Sequence, residues 1–284
     1  MKIKRKYRLL CGILACLVVG SLVGLLWYRA DWRFRFCNAI RIYPAPAVTA
    51  MAWNSGTVSA EELLLRGVTA NHLLMLVNPS YALPADYIPL LEDYNGAKMH
   101  PEMIPAYAAL RDALEHRTGQ RIYVSSDYRT PEEQAEILAG SQPGIAATVG
   151  HSEHEAGLAL DVYVKGYGGM SILKTAAGRE LARICAEYGF ILRYPEGKTK
   201  ITGTSYEPWH IRYVGAPHAK IIMDCGLTLE EYVALYEIGT WYDVGTHYVG
   251  RFSADAIAEP EGSWSGGTIS PDNTGYFFIT LQKA

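Results

Sequence analysis

The sequence predicts an α+β fold in which helices pack on a mainly antiparallel sheet. Capped helical segments precede a series of short strands along the chain, and this order is typical of α+β domains. Hydrophobic residues make up 49% of the chain and charged residues 19%, as in globular proteins. With 284 residues, the chain is long enough for one or two domains.

The N-terminal segment contains an apolar run of membrane-spanning length. Residues 9–28 carry no charge, and at about 1.5 Å per residue they span the roughly 30 Å of a bilayer core. We therefore predict a transmembrane signal anchor over residues 1–28, with its basic tip in the cytoplasm. A cleaved signal peptide and a lipoprotein cleavage box at Cys16 are the alternatives.

Residues 29–71 are predicted to form a stalk with one short helix. Ser59 and Glu62 form a capping box at the start of this helix, and Gly67 ends it.

Further helices are predicted between the stalk and Gly239. Thr130 and Glu133 form a capping box with Pro131 at the first helical position. Periodic apolar residues and end signals define the others. The predicted helices cover residues 101–117, 131–140 and 175–188, and a short segment after Thr228.

The strand that matters most for function covers residues 157–164. Leu158, Leu160 and Val162 alternate there with Ala159 and Asp161. Asp161 is therefore expected to point to the face opposite the leucines. Other predicted strands cover residues 121–125, 190–194 and 211–214.

The composition changes after Gly239. Tryptophan and tyrosine mix there with many glycines and turn residues, which predicts a small β-rich module over residues 240–284. Its aromatic residues either form a small core or bind a ligand. The net charge of the chain is −3 and no basic patch dominates, which argues against nucleic acid as a partner.

Two short segments carry the residues of a metal site. His154, Asp161 and His210 offer two imidazoles and one carboxylate, the N/O ligands that a catalytic zinc site uses. Glu207 is a spare carboxylate that can act as a base toward a metal-bound water. Gly157 allows a sharp turn into the strand of Asp161, and His210 starts the next strand, so a rigid sheet is expected to hold the ligands.

These segments carry a family resemblance. The pattern S-x-H-x-x-G-x-A-x-D over residues 152–161, followed by E-x-W-H over residues 207–210, resembles the signature of VanY-type D-alanyl-D-alanine carboxypeptidases. This zinc peptidase group includes VanX-type dipeptidases and LdcB-type L,D-carboxypeptidases, and its metal fold is that of Hedgehog. The resemblance covers roughly residues 72–236. It implies one Zn²⁺ and a Hedgehog/VanX-like catalytic domain over residues 72–239.

The resemblance also implies roles for individual residues around the metal ligands. Glu207 is expected to be the catalytic base, and Arg129 to bind the scissile carbonyl or its oxyanion. Ser152 and Gln134 are expected to bind the free carboxylate of the substrate, with Arg129 as a competing candidate. The sequence departs from the family pattern at Asp127 and Ala156. Neither residue is a predicted metal ligand, so these differences bear on substrate preference more than on catalysis.

The function that follows is a membrane-anchored, extracytoplasmic zinc carboxypeptidase that removes the terminal D-Ala from peptidoglycan stem peptides. An outward orientation is expected because a peptidoglycan enzyme must face the wall. The alternatives are an L,D-carboxypeptidase acting on tetrapeptide stems and a non-catalytic wall-peptide-binding module. Glu207 favours an enzyme, because a binding module needs no base. The C-terminal module is a candidate for binding cell-wall glycan.

Overall fold

The structure, a computed structural model, describes residues 2–142 and 146–284. At positions 2–10, 13, 26, 27, 54 and 55 only the backbone is described. The helices are α1 (Lys2–Tyr28), α2 (Ala30–Ala39), α3 (Ala60–Leu65), α4 (Met103–Thr118), α5 (Pro131–Gly140), α6 (Ala176–Ile184), α7 (Thr199–Thr202), α8 (His218–Asp224) and α9 (Leu229–Leu235). Two 3₁₀ helices cover Gly169–Lys174 and Cys185–Tyr188.

The strands are short and form several sheets. They are β1 (Thr49–Met51), β2 (Trp53–Val58), β3 (Val68–Ala70), β4 (Glu92–Tyr94), β5 (Ala97–Met99), β6 (Ile122–Ser126), β7 (Ala159–Val164), β8 (Phe190–Leu192), β9 (His210–Tyr213), β10 (Thr240–Asp243), β11 (His247–Phe252), β12 (Ile257–Pro260), β13 (Trp264–Pro271) and β14 (Phe277–Lys283).

The sheet that carries the predicted site has four strands in the order β6-β7-β9-β8, and all of its pairs are antiparallel. Its apolar face packs with α4 and α6 in one core, to which Leu110, Leu160 and Leu181 belong. Asp161 lies on the other face, as the alternation predicts. The predicted α+β fold with a mainly antiparallel sheet is confirmed.

The capped helices begin where the sequence predicts. Thr130 and Glu133 form the reciprocal capping box of α5, and Thr228 and Glu231 form that of α9. The predicted helix over 175–188 is divided into α6 and a 3₁₀ turn that ends at Gly189, which has a φ of 78°.

A second β unit joins two distant parts of the chain. Its six strands run in the order β1-β10-β11-β14-β13-β3, so the predicted stalk and the predicted C-terminal module share one sheet. β3 pairs with β13 in parallel, and β2 pairs with β12 in a separate two-stranded sheet. The predicted stalk therefore contributes strands to the C-terminal module. The pairing was not predictable because β1 and β3 have only three residues each and no periodicity.

This β unit also packs against the catalytic part. The ring of Phe278 is stacked on Tyr232 of α9 at a centroid distance of 5.8 Å. Trp241 and Phe252 are fully buried inside the unit. These aromatic residues form a core, which is one of the two alternatives that the sequence left open for the C-terminal module.

Within the described residues, no single helix is both long and apolar enough to span a bilayer. The segments Leu14–Leu25 and Ala30–Ala39 satisfy length and composition only as a pair, across a bend of 106°. The side chains of the predicted basic tip lie outside the described residues.

Candidate metal centre

The three predicted metal ligands converge on one point of the four-stranded sheet. Asp161 of β7 lies directly opposite His210 of β9 in the strand register, and the loop before β7 carries His154. The candidate ligand atoms of these three residues all lie within 4.8 Å of one another. Asp161 Oδ1 is 3.0 Å from His210 Nδ1, and Asp161 Oδ2 is 3.4 Å from His154 Nε2.

Gly157 makes this convergence sterically feasible. Its φ is 70°, in the left-handed region that favours glycine. A Cβ at this position would also lie 2.6 Å from Leu91 Cδ2. The tight turn brings His154 back over the strand that bears Asp161.

The outer hydrogen bonds set the tautomer of one imidazole and the orientation of both. His154 Nδ1 donates to the backbone oxygen of Asp127 at 2.7 Å, since a carbonyl can only accept. Its Nε2 is therefore the nitrogen that faces Asp161, and it can bind a metal ion once it carries no proton. His210 Nε2 lies 3.4 Å from a carboxylate oxygen of Glu153, and its Nδ1 is directed at Asp161. Such outer partners are the usual support of metal-binding histidines.

The electrostatic field of this cluster favours a cation. Burial opposes the charged form of Asp161, but hydrogen bonds from both histidines outweigh it and hold its pKa far below the usual range. Burial also opposes a charge on His210, yet Asp161 and Glu153 raise the pKa of His210 to about 9. The same two carboxylates would stabilise the positive charge of a metal ion bound at His210. Two nitrogens and one carboxylate fit zinc in a catalytic site.

Glu153 is a buried charge that supports the centre. It accepts hydrogen bonds from Arg193 Nε at 2.6 Å and from Arg212 Nη1 at 2.9 Å, and all three side chains are 0% exposed. Burial opposes the charge of Glu153, but the two guanidinium groups lower its pKa. Its position next to His210, held by two arginines, makes Glu153 a support of the proposed metal centre.

The two arginines extend this support to the beginning and the end of the predicted catalytic domain. Arg212 Nη2 donates to the carbonyl oxygens of Leu73 and Met75 at 3.1 and 2.9 Å. Arg193 also binds Glu230 of α9 at 2.6 Å. Sequence reasoning missed Arg212, because it lies in a strand where an inward arginine has no local signature.

Glu207 lies beside the three ligands without belonging to their cluster. Its Oε2 is 3.9 Å from His210 Nδ1, and its side chain is 25% exposed. Burial raises the pKa of Glu207 above the usual carboxyl range. A partly exposed carboxylate with this affinity for protons is suited to accept one from a water molecule and release it again.

Arg129 and Gln134 form a pair next to the centre. Arg129 Nη1 donates to Gln134 Oε1 at 2.5 Å, and Gln134 Nε2 donates to the carbonyl oxygen of Ala147 at 2.7 Å. Both ends of the Gln134 amide are thus engaged within the protein, and the residue is buried. Arg129 Nε is buried and finds no hydrogen-bond partner among the described residues.

Ser152 and Tyr194 complete the surroundings. Ser152 is buried two residues before His154. The ring of Tyr194 lies 4.8 Å from that of His210 and shields it from solvent. The motifs do not single out Tyr194, because its role depends on packing.

Comparison with known proteins places this centre in a family. A family model described as VanY, D-alanyl-D-alanine carboxypeptidase, matches residues 96–216. A bifunctional D-Ala-D-Ala dipeptidase and D-Ala-D-Ala carboxypeptidase, VanXYC of Enterococcus gallinarum, is 36% identical over 177 residues, which cover 56% of this chain and 92% of that protein. The chain belongs to the VanY family.

Other relatives agree with this assignment. A D-alanyl-D-alanine carboxypeptidase of Enterococcus faecium is 33% identical over 205 residues, or 63% of this chain and 64% of that protein. The matched region thus spans just under two thirds of that relative. The putative carboxypeptidase YodJ of Bacillus subtilis strain 168 is 38% identical over 57% of this chain and 67% of its own length.

Solved structures show the same fold. A VanY D,D-pentapeptidase from a VanB-type resistance cassette, in complex with Zn(II), is 37% identical with a TM-score of 0.51, over 57% of this chain and 98% of that one. A VanXYg D,D-dipeptidase covers 83% of this chain and 99% of its own, at 27% identity and a TM-score of 0.63. The predicted family and its zinc cofactor are confirmed.

Proposed function

We propose that this VanY-family protein is a zinc carboxypeptidase that removes the terminal D-Ala from peptidoglycan stem peptides. The proposal rests on the position of Glu207, a carboxylate that lies beside the three candidate metal ligands and is not one of them. A catalytic zinc site requires this arrangement, with three protein ligands and a separate base.

His154, Asp161 and His210 are the proposed zinc ligands. When bound, zinc activates a water molecule and polarises the scissile carbonyl group. Glu207 accepts a proton from the attacking water and passes it to the leaving amine of D-Ala. Glu153 keeps His210 oriented throughout, because its own position is held by two buried arginines.

Arg129 supplies the positive charge on the substrate side. Its guanidinium is the candidate for either the oxyanion that forms at the scissile carbonyl or the free carboxylate of the substrate. Ser152 is the second candidate for that carboxylate. Gln134 acts on the substrate through Arg129, because both ends of its amide are engaged within the protein.

One other reaction has a specific observation in its favour. The LdcB LD-carboxypeptidase structure is 34% identical with a TM-score of 0.52, over 56% of this chain and 84% of that one. An L,D-carboxypeptidase acting on tetrapeptide stems would use the same metal centre and base. A non-catalytic wall-peptide-binding module is disfavoured by the presence of Glu207.

The proposed location is the outer face of a membrane. Residues 1–28 serve as a single-pass anchor, and residues 72–239 form the extracytoplasmic catalytic domain. The uncharged run over residues 9–28 supports the anchor, and the location of peptidoglycan supports the orientation. Glycan binding by the C-terminal module would use its partly exposed rings. Of these, Trp264 and Tyr276 each have an arginine over one face, which leaves at most the other face for a sugar.

The test is direct. The full chain in detergent is incubated with penta-, tetra- and tripeptide stems, and the products are identified by mass. Conversion of pentapeptide to tetrapeptide supports the proposal, and conversion of tetrapeptide alone supports the L,D alternative. Absence of any cleavage by the zinc-loaded chain would leave only the binding module.

A further inference from the structure

Helix α2 has two opposite faces that are both apolar. Phe34 is 7% exposed and belongs to the core of the catalytic part. Trp32, Phe36 and Ile40 follow one another at four-residue spacing and are 45%, 50% and 63% exposed. At 3.6 residues per turn, this exposed stripe is centred roughly 160° around the helix from Phe34. The stripe therefore lies on a different face of the helix from the one that packs into the core.

Basic side chains accompany the exposed stripe. The Arg29 guanidinium lies over the Trp32 ring at 5.1 Å, and it also forms an ion pair with Asp31 at 2.8 Å. Arg41, just after the helix, lies over the Tyr43 ring at 4.8 Å. Aromatic rings flanked by arginines are typical of segments at the interface between lipid headgroups and acyl chains.

The opposite side of α2 is attached to the catalytic part. Besides Phe34, Arg35 connects the two: its Nε lies 2.9 Å from a carboxylate oxygen of Glu196, and its guanidinium lies over Tyr206 at 5.9 Å. Tyr206 directly precedes Glu207. The helix and the loop that carries the proposed base are thus in contact.

The direction of the preceding helix supplies the third observation. Only Arg29 lies between α1 and α2, and the segments Leu14–Leu25 and Ala30–Ala39 meet at 106°. If α1 crosses a bilayer, α2 therefore lies close to the plane of its surface. The exposed stripe is then the part of the protein that follows the apolar run most directly.

We propose that the exposed apolar face of α2, formed by Trp32, Phe36 and the following Ile40, is seated in the headgroup region of a bilayer. The inference rests on the proposed N-terminal anchor. Because Phe34 and Arg35 attach the helix to the catalytic part, the seated helix holds the metal centre at a fixed orientation above the membrane. The partner is the surface of the lipid bilayer that the preceding apolar run would enter, and the exposed aromatic and aliphatic side chains of α2 are what it would cover.

The test measures how deeply α2 lies in lipid. A nitroxide is attached at Phe36→Cys in the full chain, with the four exposed or partly exposed cysteines, Cys11, Cys16, Cys37 and Cys225, replaced by Ser. The matched control is Leu65→Cys, an apolar position on α3 that is 84% exposed. Both chains are reconstituted in vesicles containing phosphatidylglycerol, and collision rates with oxygen and with a water-soluble nickel chelate are compared.

The proposal expects the label at position 36 to meet oxygen several-fold more often, relative to nickel, than the label at position 65. Equal ratios at the two positions would overturn it. With Trp32→Ser and Ile40→Ser in the same labelled chain, the ratio at position 36 should fall toward the control value. An unchanged ratio would overturn the role of the apolar stripe.

The outcome is separable from that of the proposed enzymatic function. Release of D-Ala from a soluble pentapeptide is measured on the same labelled chains in detergent. Active chains with an aqueous label at position 36 would contradict only the membrane-seated helix. Zinc-loaded labelled chains that are inactive but carry a lipid-exposed label would contradict only the carboxypeptidase, provided that the unlabelled wild type is inactive as well.

Discussion

Glu153 and Arg193 form an ion pair at 2.6 Å in which both side chains are entirely removed from solvent. Arg212 joins the same carboxylate oxygen at 2.9 Å, so the Glu153 carboxylate lies between two guanidinium groups next to His210, and Glu230 supplies a second negative charge to Arg193. A buried pair is poor evidence for added stability, but removing one partner leaves charges uncompensated in the interior. The first prediction follows from this asymmetry.

Glu153→Gln should lower the free energy of unfolding by about 3–5 kcal/mol, because Arg193 and Arg212 lose their shared counter-charge. It should also weaken zinc binding roughly 10- to 100-fold through loss of the partner of His210. Denaturant unfolding and metal competition measure the two effects. The control is Glu187→Gln, at a half-exposed surface pair, which should change stability by less than about 1 kcal/mol. Equal effects of the two substitutions would contradict the assignment.

Glu207→Gln should separate catalysis from metal binding. The variant should keep its zinc, because Glu207 lies outside the ligand cluster, and should lose about 10²- to 10⁴-fold in turnover. His154→Ala and His210→Ala should lose metal and activity together. Metal content and D-Ala release are measured on each preparation. Loss of zinc from the Glu207 variant would make Glu207 a ligand and reopen the assignment of Asp161.

Gln134→Ala should impair substrate use without affecting the metal. It frees the Arg129 guanidinium from the contact that orients it, so kcat/KM should fall by about 10-fold, the value of one misplaced hydrogen bond to a charged group. Zinc content should stay at that of the wild type. An unchanged kcat/KM would show that Arg129 is oriented by other contacts.

The pH dependence of stability should reflect Glu230. Burial opposes its charge, but the nearby Arg193 outweighs burial and lowers its pKa in the folded state. Such a carboxylate stabilises the fold above its unfolded pKa of about 4.3, and this contribution is lost as pH falls through the folded value. Unfolding measured from pH 7 to pH 3 should show this decline, and Glu230→Gln should reduce its slope. A slope identical to that of the wild type would contradict the role of Arg193.

Phe278→Ala should destabilise the catalytic part as well as the C-terminal module. Phe278 is stacked on Tyr232, and the loss of a buried phenylalanine costs about 3–5 kcal/mol. His218 strengthens the same junction, since it lies 2.6 Å from the Tyr232 hydroxyl and 3.0 Å from Thr280 Oγ1. Removal of residues 240–284 should accordingly give an unstable protein with little activity. A stable and active truncated chain would show that the module is a separate domain.

The sequence predicts those parts of the molecule whose signals are local. The capping box of α5, the alternation around Asp161 and the short ligand motifs each lie within about ten residues. The role of the two buried arginines cannot be predicted from a local signal. Arg193 and Arg212 support the centre only because the fold brings Glu153 between them.

Other elements lack a local signal altogether. Helix α2 begins at Arg29 without a side-chain cap, so its start carries no recognisable motif. β3 has three residues, and its partner β13 lies far along the chain. Such short strands form because the rest of the sheet offers a partner. A short stretch of sequence does not show that this partner exists.

The pairing of β3 with β13 joins residues that are about 200 positions apart, and β14 occupies an inner place in the same sheet. All the proposed metal ligands precede β14 in the chain. During synthesis, the metal-binding segments are therefore complete long before the strand that closes the neighbouring sheet has appeared. Contacts of such high sequence separation form slowly. The chain should thus remain open to chaperones and proteases for longer than a domain assembled from adjacent segments.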